Sequence, residues 1–100
     1  MTEKPQPTVR DNPDASRFEA VDESGVVAGF AAYRRYDDRI VFTHTEVDDA
    51  FEGQGVGSVL VRAALDAVRG EHLRVVPQCP FVKSWIGKHP DYADLVERSS

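Results

Sequence analysis

Three glycines fall within five residues at Gly53-Gln54-Gly55-Val56-Gly57, with Ser58 next. A strand-like pattern precedes this run and an amphipathic one follows it. Glycine has no Cβ, so the backbone turns tightly and lets a ligand approach the main chain. The N–H groups of a helix's first turn would then face one concavity, with the helix dipole adding positive potential. That is chemistry for an anion such as a pyrophosphate. The spacing excludes two other phosphate loops. A Walker A loop needs Lys-Ser/Thr after its last glycine, and Ser58-Val59 follows Gly57. A dinucleotide fingerprint needs G-x-G-x-x-G on a parallel sheet, and these glycines run G-x-G-x-G. The alternative is a glycine-rich turn that only lets the helix pack.

A second group of residues could move protons or acyl groups. Cys79 precedes Pro80, which suits the first position of a helix. A thiol at a helix N-terminus has its thiolate stabilised, which makes a nucleophile. The competing reading is a small buried side chain, since free cysteine is among the most buried residue types. His44 and Glu46 lie two apart in a strand pattern and are expected on the face shared by Ile40 and Phe42. Imidazole takes and gives a proton near neutral pH, from Cys79 or from an amine. Glu46 could orient His44 or act on an ammonium group through a water. The alternative for both is an exposed sheet face. His72 reads as a surface residue and His89, before Pro90, as a turn residue. The three histidines form no metal-ligand spacing. Phe81, Val82 and Trp85 read as core.

Strands and helices must position these groups. Arg17–Val21, Val26–Tyr36 and Arg39–Val47 read as three strands joined by polar turns, an antiparallel meander. Val56, Val59, Leu60, Ala63, Ala64, Ala67 and Val68 mark one apolar helix face, which Gly70 ends. Glu71–Val76 is a fourth strand, and a short helix opens at Pro80. The order β-β-β-α-β-α gives an α+β fold with a mixed, mainly antiparallel sheet and a β-α-β crossover. Residues 1–16 hold three of the six prolines and are expected to form a disordered tail, leaving one domain over 17–100.

Composition narrows the function class. One hundred residues, 41% of them hydrophobic, suffice for one core without disulfides or metals. Twelve basic and seventeen acidic residues give a net charge of −5, which argues against nucleic acid or an anionic membrane as partner. No apolar run is long enough to span a bilayer, and Met1–Ser16 lacks the apolar centre of a secretory signal. With a single cysteine, a cytoplasmic, reducing compartment is the expectation.

The segment Val47 to Val61 resembles the coenzyme-binding motif of the GCN5-related N-acetyltransferases. That motif reads Arg/Gln-x-x-Gly-x-Gly/Ala and binds the pyrophosphate of acetyl-coenzyme A. Four features in order resemble the minimal, single-cysteine YjdJ-type branch of that superfamily: the short length, Thr43-His44-Thr45-Glu46-Val47, Cys79-Pro80-Phe81-Val82, and His89-Pro90-Asp91-Tyr92. The resemblance covers Phe18 to Val96. It implies that Gly53, Gln54, Gly55, Val56, Gly57 and Ser58 hold the pyrophosphate and that the pantetheine adds along the strand near Val47. It further implies an acetyl group near Cys79 and His44, with Glu46 or His44 as base. Transfer to an unidentified amine is then direct or passes through a thioester on Cys79. Gln78 and Lys83 are placed near the cofactor by position alone. The chain departs from the pattern in three ways. Glu52 replaces the usual Arg or Gln, Cys79 and Ile86 stand where an Asn and a general-acid Tyr are common, and the N-terminal helical block of larger members is missing. The acceptor side is therefore expected to be open. The alternative function is a non-catalytic acetyl-coenzyme A binding or interaction module. A nucleotide-phosphate binder using the same loop is a third.

Overall fold

The computed structural model describes residues 7–51, 53 and 55–96. Four antiparallel strands open the fold: β1 Thr8–Asn12, β2 Arg17–Val21, β3 Val27–Arg35 and β4 Arg39–Val47. A short 3-10 turn, Asp49–Phe51, leads through the glycine loop into α1, Val56–Gly70. The chain returns as β5, Arg74–Pro77, parallel to β4, so the sheet order is β1-β2-β3-β4-β5. Helix α2, Pro80–Gly87, and a 3-10 turn, Pro90–Leu95, finish the fold. Among the described residues no helix is long and apolar enough to cross a membrane.

Strand β1 corrects the expectation of a tail over residues 1–16. Val9 packs against the core, and Arg10 and Asn12 reach back to Glu19. Pro13 sits in the turn between β1 and β2. The signal was hidden because four of the strand's five residues are polar, and their reason for order is a carboxylate on the next strand. Residues 1–6 lie outside the described residues.

The α-helix forms because Val56, Leu60, Val61, Ala64, Leu65 and Val68 make one buried stripe. They pack on Phe18, Tyr33, Ile40, Phe42 and Val75 from the sheet. Helix α1 does not end on a left-handed Gly70. The left-handed residue is His72, φ 60°, and the His72 and Leu73 N–H groups donate to the Arg69 and Val68 carbonyls. That is a Schellman ending with a histidine where glycine is favoured. Helix α2 packs beside α1: the Trp85 indole N–H donates to Ser58 Oγ at 2.9 Å. Both helices therefore lie on one face of the sheet, and no described element covers the other.

Two irregularities shape the site. The β4–β5 ladder runs from Arg39 opposite Arg74 to Phe42 opposite Pro77 and stops there. The Cys79 N–H donates to the Phe42 carbonyl at 2.9 Å as the chain turns into α2, while β4 continues to Val47. The strands thus part beyond Phe42. At the same point β4 bulges, for Phe42 pairs with Tyr33 and His44 with Ala32, leaving Thr43 without a partner position.

Candidate functional site

Gly53 and Gly55 both hold left-handed backbone, with φ 80° and 76°. Side chains are disfavoured there, so the loop geometry depends on glycine at these two positions. Gly55 is the N-cap of α1. The first-turn N–H groups of Val56, Gly57 and Ser58 have no acceptor within the helix, as at every helix start. Gly57 has a different reason to be glycine. A Cβ there would stand 2.6 Å from the ring of Phe81, which leans from α2 over the first turn of α1. Phe81 is 44% exposed, whereas Val82 and Trp85 are buried, so the expected apolar trio divides. The Ser58 hydroxyl is engaged by Trp85, which leaves its main chain for a ligand. Gln54 and Glu52 lie outside the described residues. This main-chain cradle fits a pyrophosphate without a basic side chain.

The bulge at Thr43 overturns the expected sharing of faces. Before it, Ile40 and Phe42 point into the core. After it the alternation is shifted by one residue. Thr45 pairs with buried Ala31 and faces the helices, whereas His44 and Glu46 point to the uncovered face. Their side chains are 60% and 62% exposed, with His44 Nε2 3.4 Å from Glu46 Oε2. Cys79, at 3% exposure, meets Thr45 instead of His44: Sγ lies 3.2 Å from Thr45 Oγ1. The site thus has two sides. Cys79, Thr45, Val47 and the glycine loop belong to the helix side, and His44 and Glu46 to the bare side. Thr45 could have been found only by recognising a bulge, which Thr-His-Thr does not announce.

Cross-strand registers arrange the bare face in two rows. Arg10, Glu19, Phe30 and Glu46 form one, and Asn12, Arg17, Ala32 and His44 the other. Glu19 is 1% exposed. Arg17 Nε lies 2.7 Å from its Oε2, Arg10 Nε 3.0 Å from Oε1, and Asn12 donates at 3.2 Å. Burial pushes the Glu19 carboxyl up, but the hydrogen bonds from Arg17, Arg10 and Asn12 together prevail and hold it below its ordinary value. The Arg17 guanidinium carbon sits 4.6 Å from the Phe30 ring centroid, and His44 lies beside the same ring at 6.0 Å. A cleft of about 270 Å³ opens here, lined by Arg17, Val27, Phe30, Glu46, Val47 and Asp48 among others. Sequence reasoning missed Arg17 and Glu19: they are neighbours on one face of β2, but the burial of Glu19 depends on Arg10 and Asn12 from β1.

The remaining histidines behave structurally. His89 stacks on Trp85 with ring centroids 3.7 Å apart, and its Nδ1 is 2.7 Å from the Trp85 carbonyl, fixing the turn before Pro90. A carbonyl only accepts, so Nδ1 carries the proton. Tyr92 donates to Asp66 at 2.7 Å. That hydrogen bond, followed by burial, pushes its hydroxyl above the ordinary value. Among the described residues no group of three or more metal-binding side chains converges.

Comparison with known proteins agrees with this architecture. Residues 17–95 match the family model described as GCN5-related N-acetyl-transferase. Protein NATD1 of Bos taurus is 39% identical over 59 residues, which are 58% of this chain and 52% of that protein. Protein NATD1 of Homo sapiens is 37% identical over 59 residues, with the same shares. The matched stretch thus spans about half the length of these relatives. The solution structure of a GCN5-like protein from Staphylococcus aureus superposes with a TM-score of 0.69 at 26% identity, covering 95% of this chain and 92% of that one.

Proposed function

The chain belongs to the GCN5-related N-acetyltransferase family, and from that premise we propose that it transfers an acetyl group from acetyl-coenzyme A directly to a primary amine. The coenzyme lies on the helix side of the sheet and the amine on the bare side. One observation carries this reading: the β4 bulge divides the groups on the two sides at the place where β4 and β5 part.

Gly53, Gly55 and the first-turn N–H groups of α1 hold the pyrophosphate. The edge of β4 from Thr43 to Val47 offers main-chain groups to the pantetheine, as an added strand would use them. Acetyl-coenzyme A supplies an activated carbonyl: the amine nitrogen forms the new N–C bond, the C–S bond breaks, and the coenzyme leaves as a thiolate that takes up one proton. Phe42, whose carbonyl already holds the Cys79 N–H, closes the narrow end of the gap.

His44 receives the amine's proton. Glu46 beside Nε2 favours the tautomer protonated there, which leaves Nδ1 as the acceptor. Glu46 then balances the imidazolium charge. The buried, Thr45-bonded thiol of Cys79 lines the helix side and stabilises the turn into α2, and a covalent route through it would lack the base that His44 was expected to provide. The test is release of free coenzyme A thiol from acetyl-coenzyme A with and without added amines. Amine-dependent release supports the reading. Binding without release under any amine would favour a non-catalytic module.

A further inference from the structure

We infer that the acceptor is a small zwitterion of the α-amino-acid class, its carboxylate held by Arg17 and its amino group facing Glu46 and His44. This deepens the proposed function and rests on placing the amine on the bare face.

Arg17 is prepared for such a ligand. Its Nε is committed to Glu19, and its guanidinium lies over Phe30. Its two terminal nitrogens hydrogen-bond none of the described residues. Glu19 is itself buried and held from the far side by Arg10 and Asn12, so the guanidinium is fixed in place while its outer fork faces the cleft. The Arg17 side chain keeps 32% of its surface exposed. A stacked guanidinium with a free fork is suited to a planar carboxylate.

The opposite wall is anionic. Glu46 and Asp48 line it, although Asp48 Oδ1 is occupied by the Ala50 N–H at 2.9 Å. The Arg17 guanidinium lies over Phe30, the β3 residue paired directly with Glu46, so the cation and the carboxylate flank one ring in the cleft. The carboxylate and ammonium of an α-amino acid are likewise joined through a single carbon. The cleft's 270 Å³ equals about nine water volumes, room for a free amino acid. A polyamine would set a second ammonium against Arg17, and that like-charge contact is unfavourable.

Two readouts on the full chain test this. The first is kcat/KM with acetyl-coenzyme A for L-leucine, L-lysine, L-glutamate and L-phenylalanine, each beside its amide and its decarboxylated amine. At least one amino acid is expected to exceed both of its analogues by about 10- to 100-fold, the contribution of charge-assisted hydrogen bonds. Arg17→Gln should bring that ratio close to one. If Arg17→Gln does not fold, Arg17→Lys, which keeps a charge for Glu19, should lower the ratio several-fold. The second is an amide-resolved NMR titration with the same amino acids in the absence of coenzyme. It should perturb Phe30 and Glu46. Amides or decarboxylated amines turned over as well as every amino acid would overturn the inference, as would an unperturbed cleft. A perturbed cleft with no thiol release would support the zwitterion site while contradicting the proposed transfer.

Discussion

The two faces of the sheet solve different problems with the same strands. The helix face is apolar and closed: Phe42, Ile40, Leu60 and Val75 are essentially inaccessible, and the chain is bound there by packing. Among the described residues no helix covers the bare face, yet it buries a carboxylate to 1% exposure by surrounding Glu19 with two arginines and an asparagine. An uncovered face cannot be stabilised by apolar surface without becoming sticky. Here a polar network orders it instead, and that network positions Arg17. The difference teaches that the face with fewer elements is organised by specific pairs, so single substitutions within the Glu19 network should disturb function and stability together, whereas exposed His44 can be changed for function alone.

The largest expected effect separates the faces by chemistry. His44→Ala should lower kcat by about 10²- to 10³-fold with thermal stability little changed, the loss typical of a removed general base. Steady-state kinetics beside a melting curve checks both halves. Equal kcat in the variant would move the proton acceptor elsewhere.

Glu19→Ala comes next. It leaves Arg17 and Arg10 without their buried partner and should cost about 2–4 kcal/mol by denaturant titration, below the upper end for buried pairs because Arg10 is well exposed. The sign with pH follows from the lowered folded-state value. Glu19 contributes its full stability above the unfolded value, 4.5, and loses it as pH falls through the lower folded value. The wild type should therefore lose stability on acidification below that point more steeply than Glu19→Gln does.

On the other face the effects are smaller. Gly55→Ala places a side chain at φ 76°, which costs about 1–2 kcal/mol. It should also weaken acetyl-coenzyme A binding measured by calorimetry. Cys79→Ala should leave turnover within about tenfold, since direct transfer does not use the thiol as nucleophile; a loss of 10³-fold or more would restore the covalent route. His72→Gly relieves a left-handed histidine and should stabilise the chain by about 1 kcal/mol, a rise in Tm of some 4–8 °C.

The two faces were unequally legible in the sequence. Helix α1 announces itself because Val56, Leu60, Ala64 and Val68 must repeat with the helical period. The glycine loop is visible because left-handed backbone at Gly53 and Gly55 restricts the residue type. Pro80 after Cys79 likewise marks the start of α2. The bare face hides its logic. Strand β1 is held by contacts to Glu19 that no local pattern encodes, and the bulge at Thr43 changes which side chains share a face without altering composition. His44 and Glu46 are recognisable as chemically capable, but their separation from Cys79 depends on one unpaired residue in β4.

The central claim is that coenzyme and acceptor meet from opposite sides of the gap between β4 and β5. An amide-resolved NMR titration with acetyl-coenzyme A tests it most directly. The account predicts perturbations at Gly53, Gly55 to Ser58, Thr45 to Val47 and Cys79, with Arg10 and Glu19 unmoved. Perturbations confined to the Arg17, Glu19 and Phe30 face, or none at saturating coenzyme, would contradict it.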